Sequence, residues 1–172
     1  LTVEPFDAYT ALDQPDGRVD AQDLAVSGAW ARDVPGLKGL SIGVAGKIIN
    51  SRLHTYNAQA GALYAGLLWR QDPHDGLSLA FAIRNLGTPM TFISEEFHLP
   101  VSAHAGLGYR AGVPMWDDAS YTVVLEAVGG RDRDPYGAFG FEFRPVDEFA
   151  LRAGWRQNQD SGIGIAGGIG FR

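Results

Sequence analysis

Hydrophobic residues alternate with small or polar residues at a period of two along most of this chain. In the last such stretch, one side carries Ile163, Ile165, Ile169 and Phe171 and the other carries glycine and alanine. Segments near residues 40, 77, 101, 121, 137 and 151 repeat the pattern, 21–32 and 58–71 are less regular, and 1–11 is the weakest. Because this period is typical of strands with two different faces, it predicts an all-β fold of about ten strands.

The connections between these segments are of two kinds. Tight turns rich in Asp, Pro and Gly are predicted at 33–36, 72–76, 132–135 and 145–148, and longer connections at 12–20, 50–58, 88–100 and 112–120. We therefore expect a single domain over residues 1–172, an antiparallel up-and-down meander with short turns at one end and long loops at the other. Outer-membrane β-barrels have this layout.

The two kinds of strand face leave two architectures open. A soluble or periplasmic β-sheet protein with a ligand-binding or structural role would need a second layer to cover the apolar side, and no amphipathic helix is predicted between the strands. A transmembrane β-barrel would turn that side to lipid and the small polar side to its lumen. Glycine, 23 of 172 residues, is concentrated opposite the apolar rows, and this favours the barrel. Aromatic residues near predicted strand ends suit membrane-interface girdles: Trp30, Tyr64, Trp69, Phe92, Tyr109, Trp116, Tyr121, Tyr136, Phe149 and Trp155.

Composition narrows the function classes further. A formal charge of −6 provides no basic surface for nucleic acid, so no nucleic-acid partner is predicted. The chain has no cysteine, and this excludes disulfides, thiolate metal sites and a cysteine nucleophile. No stretch approaches the roughly 20 apolar residues of a membrane-spanning helix.

Nine ionisable residues are predicted to share the lumen side of the barrel. They are Lys47, Arg84, His104, Arg110, Glu126, Glu142, Arg144, Arg152 and Arg156. Charges of both signs on such a face are expected to pair across strands, and an alternative is a binding surface for an anionic group, since arginine outnumbers carboxylate. Two carboxylates on consecutive strands could suggest glycosidase chemistry, but the neighbouring arginines favour ion pairs. No serine with a neighbouring histidine is apparent, so no catalytic residue, enzymatic activity or cofactor is predicted.

An acidic stretch near the amino terminus resembles half of a calcium-binding loop. Asp13, Asp16, Asp20 and Asp23 could hold a cation weakly, but carboxylates are missing from the early ligand positions. We therefore predict an acidic loop between two strands and no well-formed metal site.

Four segments in order carry a resemblance to a known family. They are LKGLSIGVAGKII at 37–49, GLSLAFAIRNLG at 76–87, LP at 99–100 followed by GLGYR at 106–110, and FALRAGW at 149–155. From about Asp20 to Arg172 the chain resembles the PorV/PorQ family, outer-membrane barrels related to the FadL transporters of hydrophobic compounds. The resemblance implies about the later ten strands of a roughly fourteen-stranded barrel in a Gram-negative outer membrane. It also implies a non-enzymatic role with a hydrophobic small molecule or a secreted protein as partner, through transport, type IX secretion or surface attachment.

Overall fold

A computed structural model of the chain describes residues 2–9, 15–53, 56–72, 74–92, 95–157 and 164–172. Only the backbone is described at residues 2–9, 15–21, 53 and 92. These residues form strands and connections and contain no helix, so none of them lies in a helix that could span a membrane. The strands are β1 (Thr2–Tyr9), β2 (Pro15–Asp33), β3 (Leu40–Leu53), β4 (Tyr56–Arg70), β5 (Gly76–Gly87), β6 (Met90–Phe92), β7 (Glu95–Phe97), β8 (Ser102–Val113), β9 (Trp116–Gly130), β10 (Tyr136–Val146), β11 (Phe149–Arg156) and β12 (Ile165–Phe171).

Ten of these strands form one antiparallel sheet, and this confirms the all-β meander. Every strand pairs with its neighbours in sequence, except that β5 pairs with β8 across the small β6–β7 hairpin. Among the described residues β1 and β12 each pair on one side only, so the sheet is open at both edges. Several strands are long, with 19 residues in β2 and 15 each in β4 and β9. Strands of globular proteins are usually about 5–6 residues long.

The pairing register gives the sheet two chemically distinct faces. The apolar face is defined here by the side on which Val44, Leu67, Phe81, Leu107, Leu125, Phe139, Leu151 and Ile169 lie in adjacent rows. The polar face is the opposite side. Side chains alternate between faces along each strand, and the registers keep each set together from β2 to β12.

The two ends of the sheet also differ. At the turn end, connections 34–39, 71–75, 114–115 and 147–148 join the strands; at the loop end, connections 10–14, 54–55, 88–101, 131–135 and 157–164 do so. The turn predicted at 132–135 therefore lies at the opposite end from the other three predicted turns. Three of the predicted long connections are wrong. The range 12–20 largely belongs to β2, which begins at Pro15, and β3 and β4 extend into 50–58. In 112–120, Pro114 and Met115 alone separate β8 from β9.

The longest connection, 88–101, packs on the polar face. Leu99 is buried against Ala60 and Ala62 of β4, with Met90 beside them. Thr88 fixes the start of the connection, since its backbone N–H donates to the Gly61 carbonyl at 3.0 Å. This cluster contains three of the few buried apolar side chains among the described residues.

A bulge in β5 explains one break in the alternation. The β4–β5 register shifts between Leu63 and Ala65, and Asn85 takes a positive φ of 58° there. The extra residue lets Leu86 return to the apolar face while Asn85 joins the polar face, where its Oδ1 accepts a hydrogen bond from the Tyr64 hydroxyl at 2.6 Å.

Candidate functional site

All nine predicted lumen residues lie on the polar face, as their register positions require. Lys47 is on β3, Arg84 on β5, His104 and Arg110 on β8, and the others follow on β9, β10 and β11. They do not form one cluster. The structure divides them into a carboxylate with two arginines, a histidine with a carboxylate, and four further cations, three of which contact a hydroxyl or an aromatic ring.

Glu142 is the centre of the first group. Its Oε1 accepts from Arg144 Nε and its Oε2 from Arg152 Nε, each at 2.6 Å. Arg144 follows two residues later on β10, so it points to the same face, and Arg152 lies directly opposite on β11. One carboxylate thus serves two guanidinium groups, as ion pairing predicts.

His104 forms the second group with two neighbours. Its Nδ1 lies 2.8 Å from Glu126 Oε1 on β9, and its Nε2 lies 3.2 Å from Ser102 Oγ on the same strand. The side chain of His104 is 16% exposed and that of Glu126 is 41% exposed. The expectation that no serine has a histidine neighbour is therefore wrong. Ser102 and His104 are two residues apart on a strand, and this spacing alone places both on one face.

Three of the four remaining cations contact a hydroxyl or an aromatic ring. Lys47 Nζ lies 5.1 Å from the centre of the Tyr64 ring, within range of a cation–π interaction. Arg156 lies 5.8 Å from the Tyr136 ring centre, and Arg110 donates to Ser120 Oγ at 3.4 Å. Arg84 lies directly opposite Ser102 in the β5–β8 register. Glu126 and Glu142 are not a pair, since each has its own partner.

The acidic candidates for a metal site are not assembled in the described part of the chain. Asp13 lies outside the described residues, and only the backbone is described at Asp16 and Asp20. Both belong to the extended strand β2, so the predicted acidic loop is wrong here: an extended strand cannot wrap around a cation as a calcium loop does. Asp23 accepts a hydrogen bond from Ser51 Oγ. Among the described residues no three His, Asp or Glu side chains are placed to hold a metal ion.

Most of the predicted interface aromatics gather at the turn end on the apolar face. Trp30, Trp69, Tyr109, Trp116, Tyr121 and Phe149 lie there, with Phe143 and Phe171 beside them. The Trp116 and Phe143 rings meet edge to face at 5.8 Å, and Phe149 lies 5.2 Å from Phe171. Trp155 is at the loop end. Tyr64 and Tyr136 lie on the polar face instead, because their positions in β4 and β10 have the opposite parity.

Comparison with known proteins adds nothing to this geometry. No protein-family model matches the chain, and neither a curated protein nor a solved structure does.

Proposed function

We propose that this chain is an outer-membrane β-barrel protein of the PorV/PorQ, FadL-like type. The observation that carries the proposal is the exposure of a whole face of apolar side chains. Leu107, Leu125 and Phe139 are 40%, 49% and 41% exposed, as much as the charged side chains of Glu126 and Arg152 on the polar face, at 41% and 48%. A soluble antiparallel sheet packs its apolar face on a core.

The total surface supports the same proposal. The chain exposes 12556 Å². A folded globular monomer of this mass exposes about 8,200 Å². The excess arises because both faces of the sheet are largely uncovered, and one of them is a broad apolar surface of the kind that soluble monomers rarely expose. Exposure of such a surface to water is unfavourable, and contact with the hydrocarbon chains of lipid would remove it from water.

Strand length and aromatic placement fit a bilayer. A tilted strand crosses a membrane with about 9–11 residues, and the central strands β8, β9 and β10 have 12, 15 and 11. Tyr109 and Tyr121, whose ring centres are 6.4 Å apart, belong to the aromatic row at the turn end. Aromatic residues prefer the boundary between headgroups and hydrocarbon.

The soluble alternative lacks a second layer in the described part of the chain. There the one element that packs on the sheet outside its ladder is the connection 88–101, and it covers Ala60 and Ala62 on the polar face. The apolar face remains without a cover. A soluble sheet protein would have to bury that face against a partner of comparable size.

Two roles are compatible with the barrel. Transport of a hydrophobic compound would use a path along the polar face past Leu99, which packs on Ala60 and Ala62 of that face. Docking of a secreted protein would use the connections at the loop end. The family resemblance supports both roles, and bacterial outer-membrane localisation follows from either.

The experiment is electrophoretic mobility in SDS with and without boiling, after refolding into detergent micelles and into phospholipid vesicles. A closed barrel stays folded in unheated SDS and migrates faster than the boiled chain. A chain that remains monodisperse without detergent, does not float with vesicles and shows no mobility shift would contradict the proposal. Uptake of labelled palmitate by the resulting proteoliposomes, compared with empty vesicles, then separates transport from docking.

A further inference from the structure

Three side chains on β8 and β9 are connected in the order that activates a serine. Glu126 Oε1 lies 2.8 Å from His104 Nδ1, and His104 Nε2 lies 3.2 Å from Ser102 Oγ. A carboxylate at Nδ1 holds the proton on that nitrogen, so Nε2 is left to accept the hydroxyl proton of the serine. Acid, base and hydroxyl are thus in line, and each of the two histidine nitrogens has one partner.

The strand geometry holds this arrangement in place. Ser102 and His104 occupy alternate positions of β8, and Gly106 of β8 is the register partner of Glu126 on β9. Val128 is the register partner of His104, so Glu126 reaches the imidazole diagonally across the β8–β9 ladder. His104 is mostly shielded from water, a condition under which its hydrogen bonds are stronger. Serine nucleophiles are identified by such geometry and by the role of each group, since their order in the chain varies between folds.

We propose that Ser102, His104 and Glu126 form a serine-nucleophile site for carboxylic esters on the polar face. Ser102 is the nucleophile, His104 the general base and acid, and Glu126 a positioning residue for the imidazole. This inference rests on the contacts between the three side chains and does not depend on the membrane.

The surroundings indicate the class of ester. His104 faces Ala82 on β5 and Val128 on β9, so small apolar side chains flank the base. Arg84 lies opposite Ser102 on the same face, where directly opposed residues are about 5 Å apart at Cβ. A guanidinium there can stabilise the negative oxygen that forms when the ester carbonyl is attacked. An ester with an unbranched acyl chain fits these neighbours.

The reaction has two balanced steps. Ser102 Oγ bonds to the ester carbonyl carbon as its proton passes to His104 Nε2, and the ester C–O bond breaks as that proton passes to the departing alcohol. Water then attacks the acyl-serine, with His104 again taking and returning one proton, and the carboxylic acid leaves. The net reaction consumes one ester and one water and yields one alcohol and one acid.

The test uses the refolded full chain, a fluorophosphonate probe and p-nitrophenyl butyrate. Wild type should be labelled at Ser102, located by peptide mass spectrometry, and should hydrolyse the ester. Ser102→Ala should abolish labelling and lower turnover by at least about 100-fold, as removal of a nucleophile does. Ser78→Ala is the matched control, because Ser78 is a strand serine of the same face whose Oγ bonds to the Gly108 carbonyl instead.

The role of Glu126 has its own readout. Glu126→Gln should lower kcat by about 10-fold or more with KM unchanged. Glu126→Asp should restore part of kcat, and a purely structural role would give no such split. Wild type without label or turnover, or label that persists in Ser102→Ala, overturns the proposal. The far-UV circular dichroism of each variant, compared with that of wild type, shows that it is folded, so failure here is distinct from failure of the membrane proposal.

Discussion

A charge placed on one face or the other of β9 distinguishes lipid from water as the surroundings of the apolar face. Leu125 and Val124 are adjacent and similarly exposed, at 49% and 42%, but they point to opposite faces. In water, arginine at either position would have a similar small effect. In a bilayer, arginine at Leu125 would face hydrocarbon, and arginine at Val124 would face the lumen.

The expected cost follows from the depth of Leu125. Leu125 lies four positions along β9 from Tyr121 in the aromatic row, or about 13 Å along the strand. At a tilt of about 40° this is ~10 Å into an apolar band about 25 Å tall, so Leu125 is near its middle. Arginine there costs about 2–4 kcal/mol. Val124 lies between Gly108 and Gly140, where there is room for a longer side chain, and we expect a loss below about 1 kcal/mol.

The assay is denaturant unfolding in phosphatidylcholine vesicles, followed by tryptophan fluorescence. Leu125→Arg should lower the free energy of unfolding by at least about 1 kcal/mol more than Val124→Arg does. Leu125→Met controls for the loss of the leucine shape. Equal losses for the two arginine variants would refute the assignment of the apolar face to lipid.

Three further predictions concern single interactions. Glu142→Gln should lower the free energy of unfolding by about 1 kcal/mol, since it removes two partly exposed ion pairs, whereas Glu148→Gln in the neighbouring turn should not. Gly39→Ala should lower the free energy of unfolding by about 3 kcal/mol or more in the same assay, because the added Cβ overlaps the Arg70 carbonyl of β4 and φ is +77°. Gly36→Ala is the control: φ is +83° but the space around a Cβ is open, so the loss should be about 1 kcal/mol. The turn amides of residues 74 and 75 donate to Asp72 and lower its pKa from the ordinary value of 3.8, so the turn's stabilisation is complete above that value and is lost as pH falls through the lowered pKa. The melting temperature of wild type should therefore fall more steeply in that acidic range than the melting temperature of Asp72→Asn. Parallel plots of melting temperature against pH for the two proteins would contradict this.

The sequence predicts the strands wherever one face is apolar and the other is small. The alternation of odd and even positions alone predicts the ten strands of the sheet. It also predicts that Glu142 and Arg152 share a face. Strand ends were missed where alternation stops, as at Trp116–Ser120, because beyond the apolar stretch both faces are polar or aromatic and the period of two disappears. Alternation along single strands also does not predict which side chains pair across neighbouring strands. Glu126 pairs with His104 because of the β8–β9 register, which depends on the turn at Pro114 and Met115 and on a bulge beside it.

The strict neighbour-to-neighbour pairing has a consequence for how such a chain can change length in evolution. Inserting or losing a single strand would reverse every later strand, so that each subsequent turn would exchange ends with a loop. Inserting or losing a hairpin keeps the direction of all later strands. Because the ten strands of the sheet contact one another only as ladder neighbours, a new pair has to match two strand edges of the sheet. Relatives of this chain should therefore differ in strand number by even steps, with insertions concentrated between β5 and β8, where a hairpin already stands apart from the sheet.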